Sequence, residues 1–235
     1  MKYKNYIFDL YGTLVDIHTN ENKKILWVKA AEFLKCYGID YNWRDLKKSY
    51  RNKVKDLENR MDNSYGEIRL EDVFYDLMKE KGKKPSEELM LAFANLFRVL
   101  SREYLCLYPQ VIEMLETLKK EHKKIYLLSN AQRVFTMPEM EQLGLLPYFD
   151  GIFLSSDRGC KKPQGSFMNA LLKEYGLKPQ DSIMIGNDET TDIAIASEAG
   201  IASIYIHSNL SPEPSVQLNA NYKIMDGCIM KILEI

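Results

Sequence analysis

Short apolar segments rich in β-branched and aromatic residues recur along this chain, and helix-like segments separate the later ones. The strand-like segments are residues 6–10, 125–129, 151–154, 182–185 and 202–206. Two of the helix-like segments, residues 166–175 and 192–199, are each followed by a glycine, which is a common signal for the end of a helix. Strands that alternate with helices predict an α/β fold, in which helices cover both faces of a parallel sheet.

The stretch between the first strand and Pro109 has a different pattern, with few strand signals. Apolar side chains recur there at helical spacing in four segments, which are residues 22–37, 45–61, 71–81 and 86–105. This stretch spans roughly 85 residues, which is enough for a small domain. We therefore predict a core domain of residues 1–16 and 108–235, interrupted by a helical domain of residues 17–107, called the helical block below.

Composition and charge argue against several classes of function. The 235 residues carry a formal net charge of −1, which gives no electrostatic footprint for nucleic acid or an anionic membrane. No apolar run approaches the roughly 20 residues of a membrane span, and the early strand-like run leaves no visible signal peptide. The four cysteines are scattered without a C-x-x-C pair, so we expect buried thiols. We expect a cytoplasmic monomer or homodimer that acts on a small molecule.

Polar side chains of catalytic type follow the strand-like segments. Ligands of a parallel sheet bind beyond the carboxyl ends of its strands, so we expect these side chains to meet in one crevice. The candidates are Asp9, Thr13, Ser129, Asn130, Lys162 and residues 186–192. Lys162 precedes a proline, which biases it towards an extended backbone. Together these residues offer a nucleophile, neutral hydrogen-bond donors, a cation and several acids.

Four segments resemble, in order, the motifs of the haloacid dehalogenase superfamily of hydrolases. They are FDLYGTL, LLSNA, KKP and IGNDETTD. The resemblance covers the whole chain, and the helical block takes the place of that superfamily's C1-type cap. It implies a Rossmann-like parallel sheet core with an inserted α-helical cap domain. We predict that this cap closes over the site as a rigid unit, with hinges near residues 16–19 and 104–109.

The resemblance implies that Asp9 is a nucleophile, which forms a covalent intermediate that water then cleaves. Attack on a phosphate needs a cation between the two anions, which Mg²⁺ supplies. Lys162 would neutralise further charge, and Ser129 or Thr13 would donate hydrogen bonds to the transferred oxygens. The implied metal ligands are Asp9, the backbone carbonyl of Tyr11, Asp188 and Asp192, with Asn187 as an alternative to Asp188.

Tyr11 departs from the superfamily's phosphatase pattern, which has a second aspartate two residues after the nucleophile. That aspartate protonates the leaving alcohol, and loss of a general acid typically costs about 10²–10⁴ in rate. A tyrosine, with a reference pKa of ~10, would be a slow substitute. Three interpretations follow: a dehalogenase, whose halide needs no proton; a phosphohydrolase that favours good leaving groups; and a binding protein that has lost its chemistry.

The fourth motif favours the phosphatase interpretation. Asp188 and Asp192 stand four residues apart, which resembles the acidic metal site of the phosphatases, although they could instead cap the following helix. The superfamily's dehalogenases bind no metal and hold the halide with a cap arginine, for which this chain has no convincing match. We therefore predict a Mg²⁺-dependent phosphatase for a small phosphate ester or acyl phosphate. The alternatives are a metal-free 2-haloacid dehalogenase and a catalytically weak binding protein.

Overall fold

The computed structural model describes residues 1–61 and 65–235. Its strands are β1 Asn5–Phe8, β2 Val15–Thr19, β3 Arg102–Leu107, β4 Lys124–Ser129, β5 Gly151–Leu154, β6 Ser182–Gly186, β7 Ala202–Ile206 and β8 Tyr222–Ile224. Its α-helices are α1 Lys24–Cys36, α2 Trp43–Asn59, α3 Leu70–Glu80, α4 Glu87–Ser101, α5 Val111–Lys120, α6 Arg133–Gln142, α7 Ser155–Arg158, α8 Gly165–Tyr175 and α9 Ala194–Glu198. Among the helices described, none has the length and apolar character that a membrane span requires.

Six strands form a parallel sheet in the order β5-β4-β1-β6-β7-β8. The strand β1 is central, because it pairs with β4 on one side and with β6 on the other. Successive side chains of a strand point to opposite faces, so Ile7 and Phe8 enter different buried clusters. Leu115 of α5 packs on the Phe8 face, and Phe167 of α8 packs on the Ile7 face. Helices cover both faces, which confirms the predicted α/β fold.

The helices α1 to α4 share a hydrophobic core that is separate from the two faces of the sheet. Its largest members are fully buried aromatic side chains, among them Trp27, Phe74 and Phe97. The rings of Trp27 and Phe97 meet edge to face, with 5.5 Å between their centroids, which is a favourable aromatic geometry. Val134 and Phe135 of α6 belong to the same cluster, so the helical block packs directly on a helix that follows β4.

The helical block also contains strand residues, which corrects the expectation of helices alone. The strand β2 pairs with β3 in antiparallel fashion, from Val15 opposite Leu107 to Thr19 opposite Arg102. The predicted helix over residues 86–105 therefore ends at Ser101. The two strands are distant in the sequence, and strand propensity depends on such partners, so a local pattern did not indicate the pairing. The proposed domain boundaries stay a prediction, and residues 62–64 of the proposed helical domain lie outside the described residues.

Candidate active site

Asp9 follows β1 directly and lies at the carboxyl end of the central strand. Its backbone N–H donates to Ile185 O at 2.9 Å, which continues the pairing of β1 with β6. The carboxylate is nearly buried, and its Oδ1 accepts a hydrogen bond from Ser129 Oγ at 2.9 Å. Lys162 Nζ lies 2.6 Å from the same oxygen. Both donors bind the same oxygen, so the two carboxylate oxygens of Asp9 have different surroundings.

The Lys162 ammonium is buried between two carboxylates. Its three N–H donors are used by Asp9 Oδ1 and Asp192 Oδ1, each at 2.6 Å, and by Leu128 O at 3.0 Å. Burial alone would lower the pKa of this amine, but Asp192 and Asp9 outweigh burial and raise the pKa. Asn130 holds the backbone here, because its side chain accepts from Lys162 N at 2.8 Å and donates to Lys162 O at 3.2 Å. Lys162 is therefore a fixed positive charge beside Asp9.

Asp192 lies in the turn after β6 and completes the buried ion cluster. Its Oδ2 accepts from Asp188 N at 3.1 Å, and burial raises the pKa of its carboxyl against the opposing effect of Lys162. Gly186 permits this approach, since a Cβ there would lie 2.2 Å from the Asp192 carboxyl carbon. Asp188 caps the following turn, because its Oδ1 accepts from Thr190 N and Thr190 Oγ1, both at 2.7 Å. Asp192 is thus buried against Lys162, and Asp188 lies in the pocket wall.

Thr13 and Asn187 connect the first loop to the fourth motif. Thr13 Oγ1 donates to Asn187 Oδ1 at 3.3 Å. Gly12 has a φ of +86°, and a Cβ there would lie 2.4 Å from Asn187 Nδ2, so this close approach requires glycine. Of the two predicted donors to transferred oxygens, Ser129 therefore lies against Asp9, whereas Thr13 contacts Asn187 and lines a neighbouring pocket.

The Tyr11 hydroxyl is directed towards α6. It donates to Glu139 Oε2 at 2.5 Å and lies 3.2 Å from Thr136 Oγ1. Burial and the neighbouring Glu139 carboxylate raise the pKa of the phenol well above its ordinary value, while the Arg98 cation opposes this shift. A phenol that has a raised pKa and already donates to a carboxylate is a poor proton donor for a leaving group.

Arg98, Arg102 and Glu139 are charged residues near the site that the sequence analysis missed. Glu139 accepts from Arg98 Nε at 2.7 Å, from Arg98 Nη2 at 3.1 Å and from Arg102 Nη1 at 3.3 Å. The Arg98 guanidinium also lies 5.9 Å from the centre of the Tyr11 ring. The available signal for Arg98 was a cation within the apolar helix α4, whereas α6, which carries Glu139, was not predicted.

A pocket of about 220 Å³ opens above Asp9. Its described lining residues are Asp9, Tyr11, Ser129, Asn130, Lys162, Asn187, Asp188, Thr191, Asp192, Leu210 and Pro212. Of these, none belongs to the helical block, so closure of the block over the site stays a prediction. Leu210 and Pro212 come from the loop between β7 and β8, which the sequence analysis left without a role.

A larger pocket of about 440 Å³ lies at the amino ends of the strands, near Lys2 and Gln180.

Comparison with known proteins assigns the family. The sequence model of the haloacid dehalogenase-like hydrolases matches residues 3–200, which is most of the chain. The protein therefore belongs to the haloacid dehalogenase-like hydrolases, which confirms the resemblance found in its four motifs and the prediction that it is a hydrolase.

The more specific comparisons are at low identity. Glyceraldehyde 3-phosphate phosphatase of Methanothermobacter thermautotrophicus is 28% identical over 122 residues. The match covers 52% of this chain and only 52% of that relative's length. Pyrimidine 5'-nucleotidase PynA of Streptococcus pneumoniae is 22% identical over 249 residues, with 100% of this chain and 98% of that protein covered. A crystal structure of 2-haloacid dehalogenase from Pseudomonas syringae pv. Tomato has a TM-score of 0.64 and 20% identity, with 99% and 97% covered. That structural likeness shows the fold alone.

The oxygen atoms around Asp9 suit a hard cation such as Mg²⁺. Within residues 1–61 and 65–235, no three His, Cys, Asp or Glu side chains form a ready-made metal cluster. Mg²⁺ usually binds one or two carboxylates and keeps several waters, so it does not require one. Asp9, Asp188 and the Tyr11 carbonyl are the candidate ligands. Asp192 is less accessible to a cation, because its carboxylate is almost fully buried and already contacts Lys162 and Asp188 N.

Proposed function

We propose that this protein hydrolyses small phosphate esters or acyl phosphates with the help of Mg²⁺, through a covalent intermediate on Asp9. The observation that carries the proposal is the Asp9 carboxylate in the pocket, with Oδ1 held by Ser129 and Lys162. The phosphatase and the nucleotidase among the relatives are named for reactions at phosphate esters, which supports it. A cytoplasmic location is part of the same proposal, and the four cysteines are free thiols, as expected in a reducing compartment. The expectation that these thiols are buried was wrong, because Cys36 and Cys106 are exposed and the other two are half-buried.

The reaction proceeds in two displacements at phosphorus. Asp9 Oδ2 attacks the phosphorus atom, and the bond from phosphorus to the leaving oxygen breaks. Water then attacks phosphorus, the bond to Asp9 Oδ2 breaks, and inorganic phosphate is released. Mg²⁺, when bound, offsets the repulsion between the carboxylate and the phosphoryl group. Lys162 and Ser129 keep the Asp9 carboxylate aligned through both steps, and Asn130 keeps Lys162 in place.

The leaving oxygen departs without a strong proton donor at position 11. The Tyr11 hydroxyl donates to Glu139, and its raised pKa disfavours proton release. Esters of acidic phenols and acyl phosphates release stable anions, so they need less help from a general acid than alkyl phosphates do. The geometry therefore favours substrates with good leaving groups.

A metal-free 2-haloacid dehalogenase is the second candidate. It is favoured by Tyr11 beside Asp9, because a departing halide needs no proton. The charges of the pocket argue against it, since Asp188 and Asp192 would face the carboxylate of a haloacid. A protein that binds without turnover is the third candidate, and any turnover that depends on Asp9 excludes it.

Substitution of Asp9 tests the proposal. Asp9→Asn keeps the shape of the side chain but removes the nucleophile, so we expect turnover to fall by more than about 10³-fold, beyond the loss from one hydrogen-bond donor. Phosphate release from p-nitrophenyl phosphate and acetyl phosphate, with Mg²⁺ or with excess chelator, is the measurement. Asp40→Asn, on the exposed surface of the helical block, is the matched control.

Three results would contradict the proposal. Unchanged turnover in Asp9→Asn would show that Asp9 is not the nucleophile. Turnover that is unaffected by the chelator would show that the reaction does not need the metal. Activity on 2-haloacids alone, with halide release independent of Mg²⁺, would establish the dehalogenase.

A further inference from the structure

The side chains of the pocket above Asp9 carry an excess of negative charge, and a bound Mg²⁺ together with a phosphate dianion would leave that excess unchanged because their charges cancel. Its described lining carries three carboxylates, Asp9, Asp188 and Asp192, and one ammonium, Lys162. All three N–H donors of that ammonium are already used, by two of these carboxylates and by a backbone carbonyl. A second anionic group on a substrate, beside the phosphate, would therefore lie near carboxylates. Among the described lining residues, no cation has an unoccupied N–H donor to bind it.

The loop of residues 208–215 supplies the apolar part of the wall, through Leu210 and Pro212. This loop is tied to the fourth motif, because Glu189 accepts from Ser215 N and Ser215 Oγ, both at 2.8 Å. Asn209 ties it to the core residues that border the helical block, because its side chain accepts from Tyr108 Oη at 2.6 Å and donates to Asp16 Oδ1 at 3.1 Å. Anchors on both sides fix the loop, so the two apolar side chains form a defined surface.

The size of the pocket limits what can lie against that surface. Its volume of about 220 Å³ is below the ~300–1,000 Å³ that is usual for ligand pockets. A phosphoryl group next to Asp9 fills part of this space. The space that remains suits a compact leaving group, which would have Leu210 and Pro212 as apolar neighbours in the described wall.

We infer that the loop of residues 208–215 is the wall that recognises the leaving group, and that this leaving group is compact, uncharged and partly apolar. The inference rests on the proposed function and narrows its substrate class. Phosphate esters that carry a carboxylate or a second phosphate close to the reacting phosphate are poor substrates, because juxtaposed like charges cost binding free energy. At a given leaving-group pKa, esters of small uncharged alcohols or phenols are better substrates than esters whose alcohol carries an anionic group.

A pair of substrates of matched size tests the charge rule. 2-Hydroxyethyl phosphate and 2-phosphoglycolate differ in a neutral CH₂OH group against a carboxylate. We expect kcat/KM of the wild-type protein with Mg²⁺ to be at least about tenfold higher for 2-hydroxyethyl phosphate, whose alcohol is uncharged. n-Propyl phosphate, whose alcohol is uncharged and more apolar, should have a KM no higher than that of 2-hydroxyethyl phosphate.

A cation placed in the wall tests the role of the loop. Leu210→Lys should shift the ratio of the two kcat/KM values towards 2-phosphoglycolate by about tenfold, as expected for a new opposite-charge contact. Pro212→Lys changes a residue at the exposed rim and gives a second variant that spares the half-buried position 210. Val216→Lys, at a fully exposed position in the same connection, adds the same charge outside the pocket and should leave the ratio within about twofold.

The outcomes separate the inference from the proposed function. A wild-type preference for 2-phosphoglycolate would overturn the neutral leaving group while leaving the phosphatase intact. Equal shifts in the pocket variants and in Val216→Lys would show a long-range charge effect and would overturn the loop as the recognition wall. Failure to hydrolyse any of these esters, p-nitrophenyl phosphate or acetyl phosphate would overturn the proposed function and this inference with it.

Discussion

Tyr11 stands two residues after Asp9, yet its hydroxyl donates to Glu139 Oε2 at 2.5 Å on the neighbouring helix α6. Arg98 and Arg102 donate to the same carboxylate, so the phenol is one partner in a buried charged group. The phenol is therefore held against α6, and the Tyr11 backbone carbonyl stays a proposed metal ligand. A single carboxylate can still carry out displacement in this setting when the leaving group departs as a stable anion.

Substitutions of Tyr11 test this interpretation. Tyr11→Phe keeps the ring and removes the hydroxyl, so we expect turnover of aryl phosphates to stay within about threefold, because no proton transfer of the ~10²–10⁴ kind is lost. Tyr11→Asp supplies a carboxyl acid and should raise turnover of simple alkyl phosphates, by about 10²-fold at the low end of that range. The measurement is a series of phosphate monoesters graded by leaving-group pKa.

The same interpretation predicts how the rate of the wild-type protein depends on leaving-group pKa. Its rate should fall steeply as leaving-group pKa rises, and Tyr11→Asp should flatten that dependence. A flat wild-type series, or a loss of alkyl phosphate turnover above about 10²-fold in Tyr11→Phe, would show that the phenol donates the proton after all.

Individual site residues were predictable to different degrees. Asp9, Ser129 and Lys162 converge because the carboxyl ends of neighbouring parallel strands meet at one edge of a sheet. Asn130 was expected to act as a neutral donor in the crevice, and its side chain instead brackets the Lys162 backbone. The hydrogen bonds from Tyr11 and Arg98 to Glu139 could not be predicted, because they depend on how α4 packs on α6. Such packing produces no periodic pattern in the sequence of either helix.

At the scale of elements, α4 and α6 form the main charged and aromatic contact between the helical block and the sheet. The rings of Phe97 and Phe135 stack with centroids 6.3 Å apart, and Glu139 accepts from Arg98 of α4 and Arg102 of β3. A second contact lies beside the site, where Lys161 N donates to Tyr65 O at 2.9 Å. A closing motion of the block must preserve or exchange these contacts.

Removal of Glu139 tests the strength of the first contact. Glu139→Ala leaves Arg98 without its buried partner, so we expect the free energy of unfolding to fall by about 3–5 kcal/mol. Glu141→Ala, at an exposed position on the same helix, should change it by less than about 0.5 kcal/mol. Urea unfolding followed by circular dichroism provides both values, and equal small losses would show that the ion pair contributes little.

The elements themselves were predicted unevenly, for a physical reason. The central strands and the helices α1 to α4 have periodic apolar patterns, which local sequence shows directly. The strands β2 and β3 are mostly half-exposed and pair across the whole helical block, so their order depends on a partner that local sequence does not show. The same limit concealed the loop of residues 208–215, whose position depends on contacts with Glu189 and Asp16.

At the scale of the whole molecule, buried phenols tie stability to alkaline pH. Burial raises the pKa of Tyr3, Tyr6, Tyr41 and Tyr108 to about 12, from an ordinary value near 10. A group whose pKa is higher in the folded state binds its proton more tightly there. The resulting stability is fully present below pH ~10 and is lost as the pH rises through about 12.

Tyr6 allows this linkage to be measured at one position. Its hydroxyl is buried on the sheet and has no hydrogen-bond partner among the described residues, so at pH 7 Tyr6→Phe should leave the free energy of unfolding unchanged or raise it. Above pH ~10 the variant should lose less stability than the wild type, because it lacks one phenol that must ionise on unfolding. Tyr37→Phe, at an exposed position, is the control and should follow the wild-type pH dependence. Urea unfolding at pH 7, 9, 10 and 11 gives the comparison, and parallel curves for Tyr6→Phe and the wild type would show that burial does not raise the pKa of Tyr6.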